Sequence, residues 1–443
     1  VWLKSKKKNN VHLKHVVNGF KAIDYNVLDI QDNNISDQDW NVLWSHHYPF
    51  NELGSLLKNL KSTHCINHFP GTGFITNKVS LASSEVSSIP KAYRIPNDID
   101  SLLKFAKQNP ETMYVQKSNN HRGIEIKKAM ELDFKREQSF VQQFIHNPLL
   151  VDGYKFDIGV YTVITSVNPL RVYCFEEVLF RFCTEKYHPF MSNDTRKYVV
   201  GNDYLPTWKV PSLRHFYNEQ KLGMKNSFNL WLKNQKKNPR VIWNQVEESI
   251  RRVFLSNEDS MSALTLTYSP HLRFFELMRF DFIIDENLNV FLMEANMSPN
   301  LSSAHFEGNR LLYEQVVFQL LGLVGVASKR CGEFSSPEDE MPCSRKDVSV
   351  FHEHCSVQCT QKDDCLSVNC QLCQVCLGEE QYEVLRSAFL EHSGRGSYRR
   401  IMPRPLKKEE VDVPIDSENL SPMNTLMGEW FRGKCLLDVT FCS

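Results

Sequence analysis

The sequence lacks net charge, with 52 Lys and Arg against 52 Asp and Glu, so no overall field draws it to nucleic acid or to a membrane surface. Local patches must meet any charged partner. It also lacks an uninterrupted apolar run of bilayer length. The most apolar late stretch, Leu311 to Ala327, is broken by Glu314, Gln315 and Gln319, which predicts a packed amphipathic helix and no membrane span. No internal repeat and no long low-complexity tract is present, which excludes solenoid and compositionally disordered classes. An initiator methionine is missing too: the first residue is Val1, which leaves room for a targeting or anchoring segment upstream.

Cysteine is scarce only in part of the chain. Of 13 cysteines, Cys65, Cys174 and Cys183 lie in the first 330 residues and the other ten crowd into the rest. That shift marks a boundary near Ala327 to Cys331, reinforced by the polar stretch Ser335 to Glu340. A large body followed by a small cysteine-rich extension is the expected organisation. In the extension, His352 and His354 precede Cys355, Cys359, Cys365, Cys370, Cys373 and Cys376. Two-residue spacing suits a structural zinc ion in the 352–376 region, whereas ten cysteines also suit five disulfides. Free thiols are the third alternative. Disulfides would imply passage through an oxidising compartment.

What is present in quantity is ordinary folding material, 42% apolar with 11% aromatic residues. At 443 residues the chain exceeds one usual core, and two or three subdomains plus the extension are expected. Basic clusters occur at Lys4, Lys6, Lys7, Lys8 and Lys14, at Lys233 to Arg240, and at Arg399 to Lys408. Each reads as solvated surface or as a contact for an acidic polymer or peptide.

Periodicity predicts mixed α and β structure. Asp98 to Lys107 reads as a short helix and Met113 to Gln116 as a strand leading into the loop Lys117 to Gly123. The signal from Ser139 to Arg181 is strongly β, broken by turn residues at NPLLVDG and NP. Val241 to Leu255 reads as a helix, and Phe274 to Asp285 with Val290 to Glu294 as a hairpin around DENLN.

The most informative constellation runs from Arg279 to Leu301. Asp281 lies on an aromatic-rich strand, and Glu294 and Asn296, two apart on the returning strand, share one face. Converging oxygen ligands suit magnesium on nucleotide phosphates, or hydrogen-bonded partners closing a strand end. Lys117 before the polar SNNHRG loop suits phosphate, and Gly123 would let backbone approach it. Lys155 and Asp157 alternate with Phe156 and Ile158, so they line either a nucleotide pocket or a wet sheet face. Arg181, opposite in direction to Phe180 and Phe182, suits a phosphate or carboxylate.

In order, NHFPG (Asn67 to Gly71), NPLLVDGYKFDI (Asn147 to Ile158), PLRVY (Pro169 to Tyr173), FRF (Phe180 to Phe182), FDFIIDENL (Phe280 to Leu288) and MEANMSPNL (Met293 to Leu301) resemble the motifs of tubulin-tyrosine-ligase-like proteins, particularly glutamylase types. The similarity runs from about Leu43 to Gly325. It implies an α+β fold with an ATP-grasp core of antiparallel sheets flanked by helices, followed by the cysteine-rich extension. The implied divisions are an N-terminal subdomain over 1–90, a central ATP-grasp subdomain over 91–180, a C-terminal one with the metal site over 181–330, and the extension over 331–443. The implied reaction uses ATP and Mg2+ to activate a carboxylate as an acylphosphate, which the amine of free glutamate attacks. The implied partners are the acidic C-terminal tail of tubulin and microtubules, in the cytoplasm, the microtubule cytoskeleton or a cilium. By resemblance, Lys117, Arg122 and Gly123 serve the phosphates, and Gln142, Gln143, Phe144 and Ile145 border the adenine. Lys155 and Asp157 complete that pocket, Arg181 faces the reacting phosphate, and Asp281, Glu294 and Asn296 ligate the metal.

Three positions depart from the family pattern. Gly159 stands where an arginine faces the reaction centre, KYVVGND (Lys197 to Asp203) replaces an HLTN segment, and His121 replaces a phosphate-loop glycine. These departures leave open an ATP-binding scaffold that recognises tubulin without catalysis. The extension's cysteines leave open a ligase for a protein of the secretory-pathway lumen.

Overall fold

The computed structural model describes all residues except 6–9, 30–34, 61–63, 119–124, 136–138, 189–193, 271, 332–342, 367–369 and 416–417. The features expected at Lys6 to Lys8, at His121, Arg122 and Gly123, and at Ser335 to Glu340 lie outside the described residues. Strands in chain order are β1 (Trp2–Lys4), β2 (Val42–Ser45), β3 (His64–Ile66), β4 (Ala92–Ile95), β5 (Tyr114–Ser118), β6 (Glu125–Lys127) and β7 (Ser139–Gln143). They continue as β8 (Phe156–Val167), β9 (Leu170–Phe182), β10 (Leu205–Pro206), β11 (Leu272–Phe274), β12 (Glu276–Ile284), β13 (Val290–Asn296) and β14 (Tyr398–Met402).

Three sheets form. An N-terminal sheet, β1-β2-β3-β11, is parallel throughout. Its strands are short and largely buried, as strands of parallel sheets are. The second sheet, β4-β7-β5-β6, is antiparallel and carries a small core of its own around Tyr93, Leu102, Tyr114 and Val141. The helix Ile99–Gln108 packs there, one residue along from its expected position.

The main sheet has the order β10-β9-β8-β12-β13, with β14 added on β9. β9 runs across the boundary expected at residue 180. The alternation FDIGVY in β8 explains the sheet's two faces. Phe156, Phe180 and Phe182 point to one side, where Phe156 and Phe180 meet Phe228 of the helix Met224–Asn234 and Phe182 packs on Phe156. Phe280 on the same side meets Phe254 of the helix Arg240–Leu255. The opposite side carries Asp157, Gly159 and Tyr161, in register with Arg181 on β9 and with Asp281 and Arg279 on β12. Leu311 to Ala327 is largely the buried helix Arg310–Leu323, and no helix among the described residues is long and apolar enough to cross a membrane.

The extension is built into this body. Its own core gathers Val348, Tyr382, Leu385, Leu426, Trp430 and Phe431, and β14 extends the main sheet. Buried Glu391 accepts from Arg171 Nε at 2.9 Å, Arg171 Nη2 at 3.1 Å and Tyr173 Oη at 3.0 Å. Arg400 is no surface cation: it is buried over the Phe431 ring and donates to Phe441 O at 2.9 Å. The basic run Arg399 to Lys408 is therefore partly core.

Five disulfides form, Cys355–Cys373, Cys359–Cys370, Cys365–Cys376, Cys435–Cys442 and Cys65–Cys331. The last ties the extension's start to the N-terminal sheet, so the ten late cysteines do not pair only among themselves. Cys343 is left as a buried thiol. His354 has a ring nitrogen within 4.8 Å of the Cys359 and Cys370 sulfurs. Those sulfurs are bonded to each other, and zinc ligation there requires reduced thiolates.

Candidate nucleotide and metal site

The site is built where β8, β9, β12 and β13 present polar residues on one face. Asp281 pairs in register with Glu294, and Arg279 with Asn296, before the β12–β13 register shifts between Asp281 and Phe282. A bulge at that point re-aims the ends of the two strands, a device common beside active sites. The turn behind it is held by Asp285, whose carboxylate accepts from Asn287 N at 2.9 Å and Asn289 N at 2.8 Å.

The predicted metal ligands come together. Asn296 Nδ2 donates to Asp281 Oδ2 at 3.1 Å and to Glu294 Oε1 at 3.3 Å. Arg181 forks onto Asp157, with Nε and Nη2 each 2.8 Å from a carboxylate oxygen, and Nη2 also reaches Asp281 Oδ2 at 3.0 Å. Arg279 makes a second fork onto Asp281, at 2.6 and 2.8 Å. Lys78 lies 3.3 Å from Glu294. Three carboxylates thus face three side-chain cations, which makes burial of the network tolerable. Burial by itself would raise the Glu294 carboxyl. Lys78, with the hydrogen bond from Asn296, outweighs it and holds the group at about 2. For Asp157 burial prevails over Arg181, Asp281 adds its like charge, and the carboxyl is pushed up to about 6.

Two lysines approach the same region. Lys117 on β5 donates to Gln142 Oε1 at 2.9 Å, and Gln142 Nε2 is in turn fixed on Pro90 O at 3.2 Å. Lys155 donates to Tyr198 O at 2.9 Å and lies 5.0 Å from the centre of the Phe144 ring. Burial depresses both ammonium groups to about 8. Glu294 opposes that at Lys117, where Lys78 and Lys155 add to it, while Cys183 and Asp157 oppose it at Lys155. Gln143 and Ile145 are half-buried beside Phe144. Of the KYVVGND segment, Tyr198 contributes its carbonyl, while Asn202 is exposed.

Two participants were not anticipated. Arg279 stands two residues before Asp281 on a strand, so period-two alternation puts it on the same face. Lys78 had no local signal, because only the fold brings the helix Lys78–Ala82 to β13.

Two antiparallel sheets that bring Lys117 from one and Lys155 from the other toward a carboxylate–guanidinium cluster are the arrangement of an ATP-grasp-like, nucleotide-dependent ligase. The chain belongs to the tubulin–tyrosine ligase family, whose model matches residues 55–331. It is 39% identical over 445 residues to a probable tubulin polyglutamylase of Caenorhabditis elegans, covering 97% of this chain and 84% of that protein. To a tubulin monoglutamylase of Homo sapiens it is 28% identical over 407 residues, 83% of this chain and 33% of that protein. A tubulin polyglutamylase of Mus musculus is 25% identical over 424 residues, 89% of this chain and 48% of that protein. Against these last two, the chain spans a third to a half of the relative's length. ATP and Mg2+ are the general requirements of such ligases.

Proposed function

We propose that the chain joins free glutamate to side-chain carboxylates of an acidic protein tail, tubulin's C-terminal tail in the first instance. The observation that carries this reading is the connected cluster Asp157, Arg181, Asp281, Asn296 and Glu294 on one sheet face. Asp281, Glu294 and Asn296 offer two carboxylates and an amide carbonyl, the hard oxygen donors that magnesium takes. Bound there, the ion supplies neutralisation of phosphate charge. Lys117, oriented by Gln142, and Lys155 neutralise phosphate oxygens, a role the family resemblance also gives to Arg122 and Gly123. Gln143, Phe144 and Ile145 border the base.

Arg181, held by Asp157, faces the phosphoryl group in transfer. The acceptor carboxylate takes the γ-phosphoryl group and ADP leaves. The glutamate amine then attacks the acyl carbon, and phosphate departs as the amide bond forms. Positioning and electrostatic stabilisation do most of the work. The names of the three relatives favour glutamate as the amino acid and tubulin as the acceptor, and a tubulin acceptor implies a setting in the cytoplasm, on microtubules or in a cilium.

The test is ATP- and Mg2+-dependent incorporation of labelled glutamate into purified tubulin, with Glu294→Gln as control. Incorporation that vanishes in the control supports the reading. Nucleotide binding without incorporation would reject tubulin as acceptor. A second reading is favoured by the five disulfides: the same chemistry on a protein of the secretory-pathway lumen. Labelled glutamate appearing in luminal proteins, with none in tubulin, would select it.

A further inference from the structure

Gly159 on β8 is in register with Asp281 on β12, which makes Arg279, paired with Tyr161, its diagonal neighbour on the same face. A Cβ placed at residue 159 would lie 2.7 Å from Arg279 Cδ, 3.1 Å from its Nε and 3.3 Å from its Cγ. The first of these distances is closer than real Cβ contacts come, so any side chain at 159 must displace the arginine stem. Glycine is needed here for space, since its φ is not among the left-handed ones. The space is used by a buried guanidinium whose Nε and Nη2 both bond to Asp281. Arg181 Nη2 reaches the same oxygen, Asp281 Oδ2, that accepts from Arg279 Nη2. Asp281 is therefore oriented by two guanidinium groups from two strands, and the one from β12 depends on an empty place in β8.

We propose that Arg279 is a positioning residue of the ligase centre, that it orients Asp281 and adds positive potential at the phosphoryl face, and that Gly159 seats it. The pair acts as one unit. This rests on the ligase reading above. Where the family resemblance puts an arginine at 159, this chain carries its guanidinium to the same face from the neighbouring strand. Gly159 is then a relocation of the cation, not a loss of it.

A purely structural Arg279 would act through stability alone. A double-mutant cycle on the full chain separates the two roles. Gly159→Ala, Arg279→Gln and the double variant are compared by glutamate-dependent ADP release, by calorimetric affinity for Mg2+ with a non-hydrolysable ATP analogue, and by thermal melting. The expected result is a fall in kcat of about tenfold or more in each single variant, with KM for ATP changing less than kcat. The double variant should be no worse than Arg279→Gln alone, because the guanidinium whose displacement by alanine costs activity is already absent. The exchange Gly159→Arg with Arg279→Gly should recover about tenfold or more of the kcat that Gly159→Arg alone loses. Wild-type kcat in Arg279→Gln, or strictly multiplicative losses in the cycle, would overturn the proposal. If the wild-type chain releases no ADP, the ligase reading fails by itself, and the pair is judged on analogue affinity. Coupled losses there sustain the positioning role, and unchanged affinity in Arg279→Gln ends it.

Discussion

Lys78 Nζ lies 3.3 Å from Glu294 Oε2, so a short helix from the first hundred residues reaches the carboxylate expected to hold the metal. The ammonium occupies the same ligand that a divalent cation would use. A half-buried ion pair contributes up to about 1 kcal/mol, so removing the competitor should tighten metal binding by up to about fivefold. Lys78→Met titrated with Mn2+ in the absence of nucleotide, read by electron paramagnetic resonance, should show this gain, and Glu294→Gln should abolish binding. Weaker Mn2+ binding in Lys78→Met would mean that Glu294 is not a ligand.

Lys117 and Lys155 give a pH dependence with opposite signs in two assays. Lys117 and Lys155 are depressed by burial to about 8, against the ordinary 10.5. Between those values the unfolded chain binds more protons than the folded one, so the stability of the nucleotide-free protein gains with rising pH. Phosphate binding needs the charged ammonium, so nucleotide affinity falls as pH passes upward through 8, by up to about tenfold per pH unit for each lysine required. Calorimetric titrations from pH 7 upward in constant salt should show the fall, and Lys117→Met should flatten it. Affinity that is level across this range would remove both lysines from the phosphate contacts.

Much of this site was legible because its parts are local. FDIGVY and MEAN set Asp157, Glu294 and Asn296 on strand faces by alternation alone, and the hairpin between β12 and β13 brings Asp281 to Glu294 within a short stretch of chain. The relations that escaped are those between distant segments. Nothing near Cys65 signals Cys331, nothing near Arg171 signals Glu391, and β14 joins β9 across more than two hundred residues. Arg279 is a different case. Its place on the reactive face followed from its spacing to Asp281, but its purpose appeared only once Gly159 was seen diagonally across from it, since a missing side chain leaves no mark of what fills its space. The parallel sheet β1-β2-β3-β11 was hidden for another reason: strands of three or four residues carry too little periodicity to read.

The disulfides make the chain's stability depend on redox state. Cys65–Cys331 closes a loop of 266 residues in sequence separation, and bonds of this kind stabilise by about 2–4 kcal/mol, chiefly through the unfolded ensemble. Cys331→Ser is therefore expected to lower the urea midpoint, and reducing agent should lower the wild type to the same level or below. Peptide mapping without reduction should recover the Cys355–Cys373, Cys359–Cys370 and Cys365–Cys376 pairs. Recovery of stoichiometric zinc with free thiols at these positions would reject the disulfide framework and, with it, the argument for an oxidising compartment.

Glu391 decides whether the extension is an appendage or part of the fold. Its carboxylate accepts from Arg171 on β9 through two donors, from Tyr173 Oη at 3.0 Å and from Thr165 Oγ1 at 2.9 Å. Both members of the ion pair are buried, with side-chain exposures of 7% for Arg171 and 5% for Glu391. Removing one partner from such a pair leaves a buried uncompensated charge and costs about 3–5 kcal/mol, far more than the pair's net contribution. Glu391→Ala should thus destabilise the main sheet from outside it. Urea unfolding followed by tryptophan fluorescence and by far-ultraviolet circular dichroism should shift to lower denaturant together, because β14 and Glu391 couple the extension to β9. An early transition confined to the extension, with the main sheet unfolding at the wild-type midpoint, would show that the two parts fold independently and that Arg171 finds another partner when Glu391 is absent.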